Sequence, residues 1–363
     1  MTETPMPTVK CLVWDLDNTL WRGTLLEGEH VVPFERVREV ITALDGRGVL
    51  QSVASRNDHD HAWPVLERLG LADYFVLPRI GWGPKSESVR AIADRLGFAH
   101  RTIAFVDDSP VERAEVARHL PEVRLYTEAD VASLPERPEF TPATITADSR
   151  QRRLMYRAGF ERDASREGFT GPDEEFLRTL DLEVVVGRAG EADLARVEEL
   201  TLRTSQMNAT GVHYDDRALR GLLADPAHEV LVVAMSDRFG PHGAVGIVLL
   251  ERHGAVWHLK LLATSCRVVS LGAGSTLLNW LTDQAARAGV HLVADFRRTD
   301  RNRMMEIAYR FAGFAPDDCA CLAGLPAPTA EGVERFHLVP TARPAPTALR
   351  LTSPDLAADS PRA

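Results

Sequence analysis

Two kinds of patterning divide the chain. From residue 9 to residue 126, short apolar runs alternate with longer stretches whose apolar positions recur at helical spacing. The runs at 9–14, 49–54, 74–77, 102–106 and 123–125 predict strands, and 34–47, 59–69, 84–96 and 110–119 predict the helices between them. Such repetition predicts an α/β domain in which helices cover both faces of a parallel sheet. In open sheets of this kind the chemistry gathers beyond the carboxyl ends of the strands, so any motif can be tested by where it falls.

A Pro-rich passage at 134–143 marks the exit from this region. Helices predicted at 148–160, basic through Arg150, Arg152 and Arg153, and at 172–180 follow as connectors. The pattern then changes. A strand at 182–186 and helices at 191–203 and 215–223 precede strands at 230–235, 244–250 and 256–263, which read as an antiparallel meander. A helix at 272–288, a strand at 291–295 and a helix at 303–312 complete a second, α+β domain. The expected organisation is a first domain at 1–140, a helical linker at 141–180, a second domain at 181–340 and a tail at 341–363. That tail is rich in Pro, Ala and Ser, and its composition predicts a loose segment.

Bulk properties narrow the classes. A length of 363 residues suits two cores, and 45% hydrophobic with 26% charged residues is the balance of a globular protein. No apolar run approaches the roughly 18 residues a bilayer span requires, and residues 1–8 lack a signal pattern, so a cytoplasmic protein without membrane attachment is expected. A formal charge of −10 argues against a nucleic-acid surface as the main partner but leaves room for a local basic pocket. Of the four cysteines, Cys11 falls in an apolar strand as a small core residue. Cys319-Ala-Cys321 has no second ligand pair near it in the chain, which argues against zinc. Cys266 is left to be judged by its neighbours.

The candidate chemistry lies where the strands end. Trp14-Asp15-Leu16-Asp17-Asn18-Thr19-Leu20 closes the first strand, and alternate positions of an extended segment point the same way. Asp15 is therefore a candidate nucleophile toward phosphorus, and Asp17 a candidate to protonate the leaving oxygen and later activate water; an acidic turn is the plainer reading. Ser55-Arg56-Asn57 ends the second strand with groups suited to phosphate oxygens, although a serine there also serves as a helix cap. Lys85 stands at a helix start, where a cation opposes the dipole; a phosphoryl group would resolve that mismatch, and an exposed lysine is the plainer reading. Asp107-Asp108 ends the fourth strand and, with Asp15 and Asp17, offers the hard oxygen ligands that Mg²⁺ prefers. This ordered set is similar to the motif series of haloacid dehalogenase-type (HAD-like) phosphatases, which implies a Rossmannoid parallel sheet. Only about 34 residues lie between Leu20 and Ser55 and about 29 between Ser55 and Lys85, each gap consumed by one crossover, so a capless domain with an open site is expected.

In the second domain, Thr264-Ser265-Cys266-Arg267-Val268-Val269-Ser270-Leu271-Gly272-Ala273-Gly274 follows a strand and precedes a helix. It nearly fits the coenzyme A-binding loop of the GNAT-like acetyltransferase fold, with Arg267 and Gly272 in place and Ser270 standing for a glycine; a plain Gly-rich turn fits equally well.

Jointly, residues 13–21, 52–58, 84–88, 105–110, 202–208, 265–268 and 309–314 resemble the FkbH-like proteins of polyketide biosynthesis. Arg22 and Ser270 depart from the expected glycines. The resemblance implies a bifunctional glyceryltransferase and phosphatase that takes D-1,3-bisphosphoglycerate, removes the 3-phosphate and delivers the glyceryl unit as a thioester to a phosphopantetheinylated acyl carrier protein. Under it, Cys266 is the candidate acyl-transfer thiolate, with Arg267 and His258 candidates to lower its pKa. Gln206 and Asn208 are candidates to orient glyceryl hydroxyls. Each has a structural alternative: a half-buried inert thiol, a satisfied core histidine, and loop amides that pair with backbone.

Overall fold

A computed structural model describes residues 7–28, 30–142, 144–204, 207–316, 319–328 and 331–358, and only the backbone of Leu202, Arg203 and Cys266. The chain divides into two compact units, Met1–Phe160 and Glu161–Ala363.

The first unit contains β1 (Cys11–Trp14), β2 (Trp21–Arg22), β3 (Val32–Pro33), α1 (Val37–Gly46), β4 (Leu50–Ser55), α2 (His59–Arg68), β5 (Arg79–Ile80), α3 (Lys85–Leu96), β6 (Ile103–Val106), α4 (Pro110–His119), β7 (Arg124–Tyr126) and α5 (Ala147–Arg150). Helix α6 (Arg152–Glu167) runs across the division into the second unit. Among the described residues a five-stranded sheet has the order β5-β4-β1-β6-β7, parallel throughout. Its central strands are buried on both faces. Leu12 and Trp14 of β1 pack into one core and Cys11 and Val13 into the other, as the two-residue period of a strand requires. The chain winds outward from β1 through β4 to β5 and then returns to the other side of β1 for β6. That reversal opens a crevice beyond the carboxyl ends of β1 and β6.

The strand expected at 74–77 is replaced by a 3-10 turn at Ala72–Tyr74 and a single bridge from Phe75 to Gln51. Leu77 adopts a left-handed φ of 51°, which breaks the extended run, and the strand forms two residues later as β5. Among the described residues between Leu20 and β4 the chain makes the β2–β3 pair, a 3-10 turn and α1, and these include no cap domain.

The second unit continues with α7 (Asp173–Thr179), β8 (Leu182–Arg188), α8 (Leu194–Arg203), α9 (Asp216–Ala224), β9 (His228–Asp237), β10 (Gly240–His253), β11 (Val256–Thr264), α10 (Ala273–Ala288), β12 (His291–Arg297), α11 (Arg303–Ala312), β13 (Val333–Leu338) and β14 (Leu349–Thr352). Its sheet has the order β13-β12-β11-β10-β9-β8-β14 among the described residues. Strands β8 to β11 form the antiparallel meander, β12 joins β11 in parallel, and cores lie on both faces. This is a mixed α+β arrangement. Among the described residues no helix is long and apolar enough to cross a membrane.

The expectation of a loose tail at 341–363 is corrected within the described residues. Leu349–Thr352 pairs in parallel with β8, and Leu356 is fully buried. Averaged composition hid a four-residue strand that satisfies the open backbone edge of β8.

Candidate functional site

Strand β1 delivers Asp15 and strand β6 delivers Asp107 and Asp108 to the same crevice, where the amide of Asp15 donates to the carbonyl of Val106 at 3.0 Å. Lys85, the first residue of α3, places its ammonium 2.6 Å from Asp15 Oδ1 and 2.5 Å from Asp107 Oδ2. Asp15 and Lys85 are each only 5% exposed, and Asp107 is fully buried. The helix-start mismatch at Lys85 is thus answered by two carboxylates of the protein itself.

Thr19 ties the two strand ends together. Its Oγ1 accepts from the Asp108 amide at 2.9 Å and lies 3.3 Å from Asp15 Oδ2 and 3.4 Å from Asp108 Oδ1. Sequence reasoning did not single out this residue, although the fifth position of Asp-x-Asp-x-Thr was the available signal. It equally missed Glu115, which accepts from the Ser86 amide at 3.0 Å and so fixes the first turn of α3 beside Lys85; only tertiary packing reveals that contact.

The electrostatics are unbalanced. Three carboxylates against one ammonium leave a formal charge of −2 in a largely buried crevice. Burial pushes the Asp15 carboxyl up to about 6, with the charge of Asp107 adding and Lys85 opposing. Burial and Asp107 also raise Asp108. Lys85 is raised too, because Asp15 and Asp107 outweigh the burial that opposes its charge. Oxygens of Asp15, Asp107 and Asp108 lie within 4.8 Å of one another. The hard oxygen donors, their convergence and the missing two positive charges together fit a divalent ion such as Mg²⁺.

The expectation that the Asp17 carboxylate joins that ligand set is corrected. Its Oδ1 accepts from Trp21 Nε1 at 2.8 Å and from the Leu25 amide at 3.2 Å, and its Oδ2 accepts from Asn57 Nδ2 at 2.9 Å. These bonds form because the chain turns immediately after β1. Asn18 has φ 53°, and the amides of Thr19 and Leu20 both bond to the Leu16 carbonyl.

Ser55 is buried at the carboxyl end of β4 as expected. Its two neighbours are committed elsewhere. Arg56 pairs with Glu112 at 2.7 Å, and the Asn57 amide donates one hydrogen bond to Asp17 at 2.9 Å.

In the second unit Cys266 begins a 3-10 turn, Cys266–Val268. Its side chain, like the whole of Gln206, lies outside the described residues. Arg267 is exposed and turns back on Ser265, its Nε 3.3 Å from Oγ. Gly272 takes a left-handed φ of 76° to open α10, a conformation that favours glycine. The amides of Val268, Leu271 and Gly272 bond to carbonyls of the same loop, so these three are not directed outward.

Two acyl-site assignments are corrected. His258 pairs with Asp295 at 2.7 Å and sits six strand residues before Thr264, about 20 Å along an extended chain, too far to act on Cys266. Asn208 is buried, its Oδ1 accepting from the amides of Thr210 and Gly211 at 3.1 and 2.7 Å. The backbone around it fills the opening between β11 and β12, whose pairing stops at Leu259 and Ala294. Ala209 donates to Leu262, Thr264 donates to Met207, and Arg297 donates to Ala209.

Residues 24–120 match the family of haloacid dehalogenase-like hydrolases, described as a hydrolase. The N-terminal part of a Bacteroides fragilis protein, containing a phosphatase domain complexed with Mg, is 26% identical, covering 35% of this chain and 39% of that one with a TM-score of 0.32. This chain thus spans well under half of that protein. A ribosomal-protein-S18-alanine N-acetyltransferase from Escherichia coli is 14% identical over 45% of this chain and 97% of its own, TM-score 0.32. Ard1 from Thermoplasma volcanium is 12% identical over 42% and 94%, TM-score 0.30. No curated protein matches the chain. Within the first unit, residues 24–120 are thus similar to haloacid dehalogenase-like hydrolases, and the second unit is a mixed α+β domain.

Proposed function

We propose that the chain is a bifunctional, Mg²⁺-dependent glyceryltransferase and phosphatase of the FkbH-like kind. It would convert D-1,3-bisphosphoglycerate to a glyceryl thioester on a phosphopantetheinylated acyl carrier protein in the cytoplasm, supplying extender units for polyketide biosynthesis. The observation that supports it most is the buried Asp15 held 2.6 Å from Lys85 among Asp107 and Asp108.

In the phosphatase half, Asp15 attacks phosphorus, the bond to the leaving oxygen breaks, and that oxygen takes a proton from Asp17. Water then attacks the aspartyl-phosphate, gives its proton to Asp17, and inorganic phosphate leaves with Asp15 restored. Asp15, Asp107 and Asp108 would hold Mg²⁺, which would supply positive charge against the phosphoryl oxygens. Lys85 orients Asp15, Asn57 orients Asp17, and Ser55 is placed to donate to a phosphoryl oxygen. In the transfer half, the Cys266 thiolate attacks the acyl-phosphate carbonyl carbon, phosphate leaves, and the thioester exchanges onto the carrier thiol. The sequence resemblance supports this half.

A second reading is favoured by one observation. Because the chain's own residues 207–211 fill the opening between β11 and β12, the second unit in this reading is a non-catalytic docking domain attached to a phosphatase acting on a carrier-bound or small phosphoester.

Intact-mass spectrometry of enzyme and carrier after incubation with bisphosphoglycerate and Mg²⁺ tests both. A glyceryl mass on the carrier, lost in Cys266→Ala while small phosphomonoesters are still cleaved, supports transfer. A persistent phosphoglyceryl mass counts against the phosphatase step. No added mass on either protein defeats transfer and leaves the docking reading.

A further inference from the structure

The second unit contains a cluster that no step above uses. Strands β12 and β13 run antiparallel with Val293 opposite His337, so His291, two residues before Val293, shares a face with His337. Their rings stand 5.0 Å apart at 58°, and His291 Nδ1 lies 3.0 Å from His337 Nε2. The connection from α11 to β13 returns along the same edge. Ala315 and His337 exchange two backbone hydrogen bonds, at 3.0 and 2.8 Å, which fixes that connection beside β13. Farther along it, Cys319 caps the short 3-10 turn Ala320–Gly324, with its Sγ 3.6 Å from His291 Nδ1. One ligand atom from each of His291, Cys319, Cys321 and His337 lies within 4.8 Å of every other.

We infer that His291, Cys319, Cys321 and His337 form a four-ligand zinc site. The sequence argument against zinc was that Cys319-Ala-Cys321 lacked a second ligand pair; the sheet supplies one, a histidine from 28 residues upstream and another from the following strand. With zinc bonds of about 2.0–2.1 Å to nitrogen and about 2.3 Å to sulfur, a tetrahedral ion sets ligand edges of roughly 3.3 Å between nitrogens and roughly 3.6 Å between nitrogen and sulfur. The distances found, 3.0 and 3.6 Å, already approach those edges. Charge agrees as well: two thiolates and two neutral imidazoles carry −2, which a divalent ion cancels, with two thiol protons released on binding. A set of two sulfurs and two nitrogens selects zinc over Mg²⁺.

Four protein ligands leave no open position, so the site is structural. It ties the connection after α11 to the edge of the sheet. The Glu251, His253 and His258 group carries no similar claim, because Lys260 already places its ammonium 2.9 Å from Glu251.

The test uses the full chain, stripped with a chelator and titrated with Zn²⁺ or Co²⁺ alone. One zinc per chain is expected, together with a Co²⁺ spectrum showing tetrahedral ligand-field bands and thiolate-to-cobalt charge transfer. The oxygen ligands around Asp15 cannot produce that charge-transfer band. Cys319→Ser with Cys321→Ser should lower bound zinc at least tenfold, His337→Gln should do the same, and Asp15→Asn should leave it unchanged. Titration of the unmodified chain needs no variant to fold. Uptake of only trace zinc, a Co²⁺ spectrum without the thiolate band, or full retention of zinc by the double cysteine variant would overturn the site. The last two outcomes would leave a hydrogen-bonded histidine pair beside inert thiols.

Discussion

The ammonium of Lys85 lies 2.6 Å from the carboxylate of Asp15, and both groups are buried. The contact joins the first residue of α3 to the residue just past β1, and it is shared with Asp107 at 2.5 Å. Lys85 thereby holds one oxygen of Asp15 and leaves the other beside Thr19. Replacing Lys85 by methionine removes the cation that pairs with Asp15 and Asp107. Phosphatase turnover should fall roughly 10²–10³-fold, as for loss of one preorganised electrostatic contact. In Mg²⁺-free buffer the variant should also lose about 3–5 kcal/mol of stability, because buried charges are left unpaired. Steady-state kinetics and urea unfolding check the two effects separately.

The response to Mg²⁺ should depend on pH. Burial raises Asp15 to about 6 in the ion-free crevice, so the folded state holds a proton that the unfolded chain, near pKa ~3.9, releases. The stability contributed by this group is present below that unfolded value and is lost as pH rises through about 6. A divalent ion replaces the proton. Added Mg²⁺ should therefore raise the melting temperature more at pH 7 than at pH 5, as measured by differential scanning fluorimetry. An equal shift at both values would contradict the ligand role of Asp15.

Asn57 distinguishes positioning from substrate binding. Its amide orients Asp17 across a 2.9 Å hydrogen bond. Asn57→Ala should lower kcat roughly 10–100-fold and leave KM for a small phosphomonoester nearly unchanged, the pattern of an interaction felt in the transition state. A rise in KM at constant kcat would return Asn57 to the phosphate-binding role.

The last strand should matter to the second unit's stability. Leu356 is fully buried, and Leu349 and Leu351 pack against the main core of this unit. Leu356→Ala should cost about 2–5 kcal/mol. Deleting residues 345–363 should cost more and promote association through the bared edge of β8. Chemical denaturation and size-exclusion chromatography report these outcomes.

By itself, the sequence determined the alternation of strands and helices and the ends at which Asp15, Ser55, Lys85, Asp107 and Asp108 fall. These follow from local rules, since burial on both faces of a parallel sheet demands apolar runs and a crossover demands a helix. Only the tertiary structure decided where each side chain points. Asp17 is held by Trp21, Leu25 and Asn57 where the chain turns after β1. His258 is drawn to Asp295, and residues 207–211 enter the gap beside β11. The strand at Leu349–Thr352 and the gathering of His291 and His337 with the Cys319–Cys321 pair depend on partners far away in the chain. Periodicity registers which face of an element is buried; it carries no information about which distant element will lie against that face.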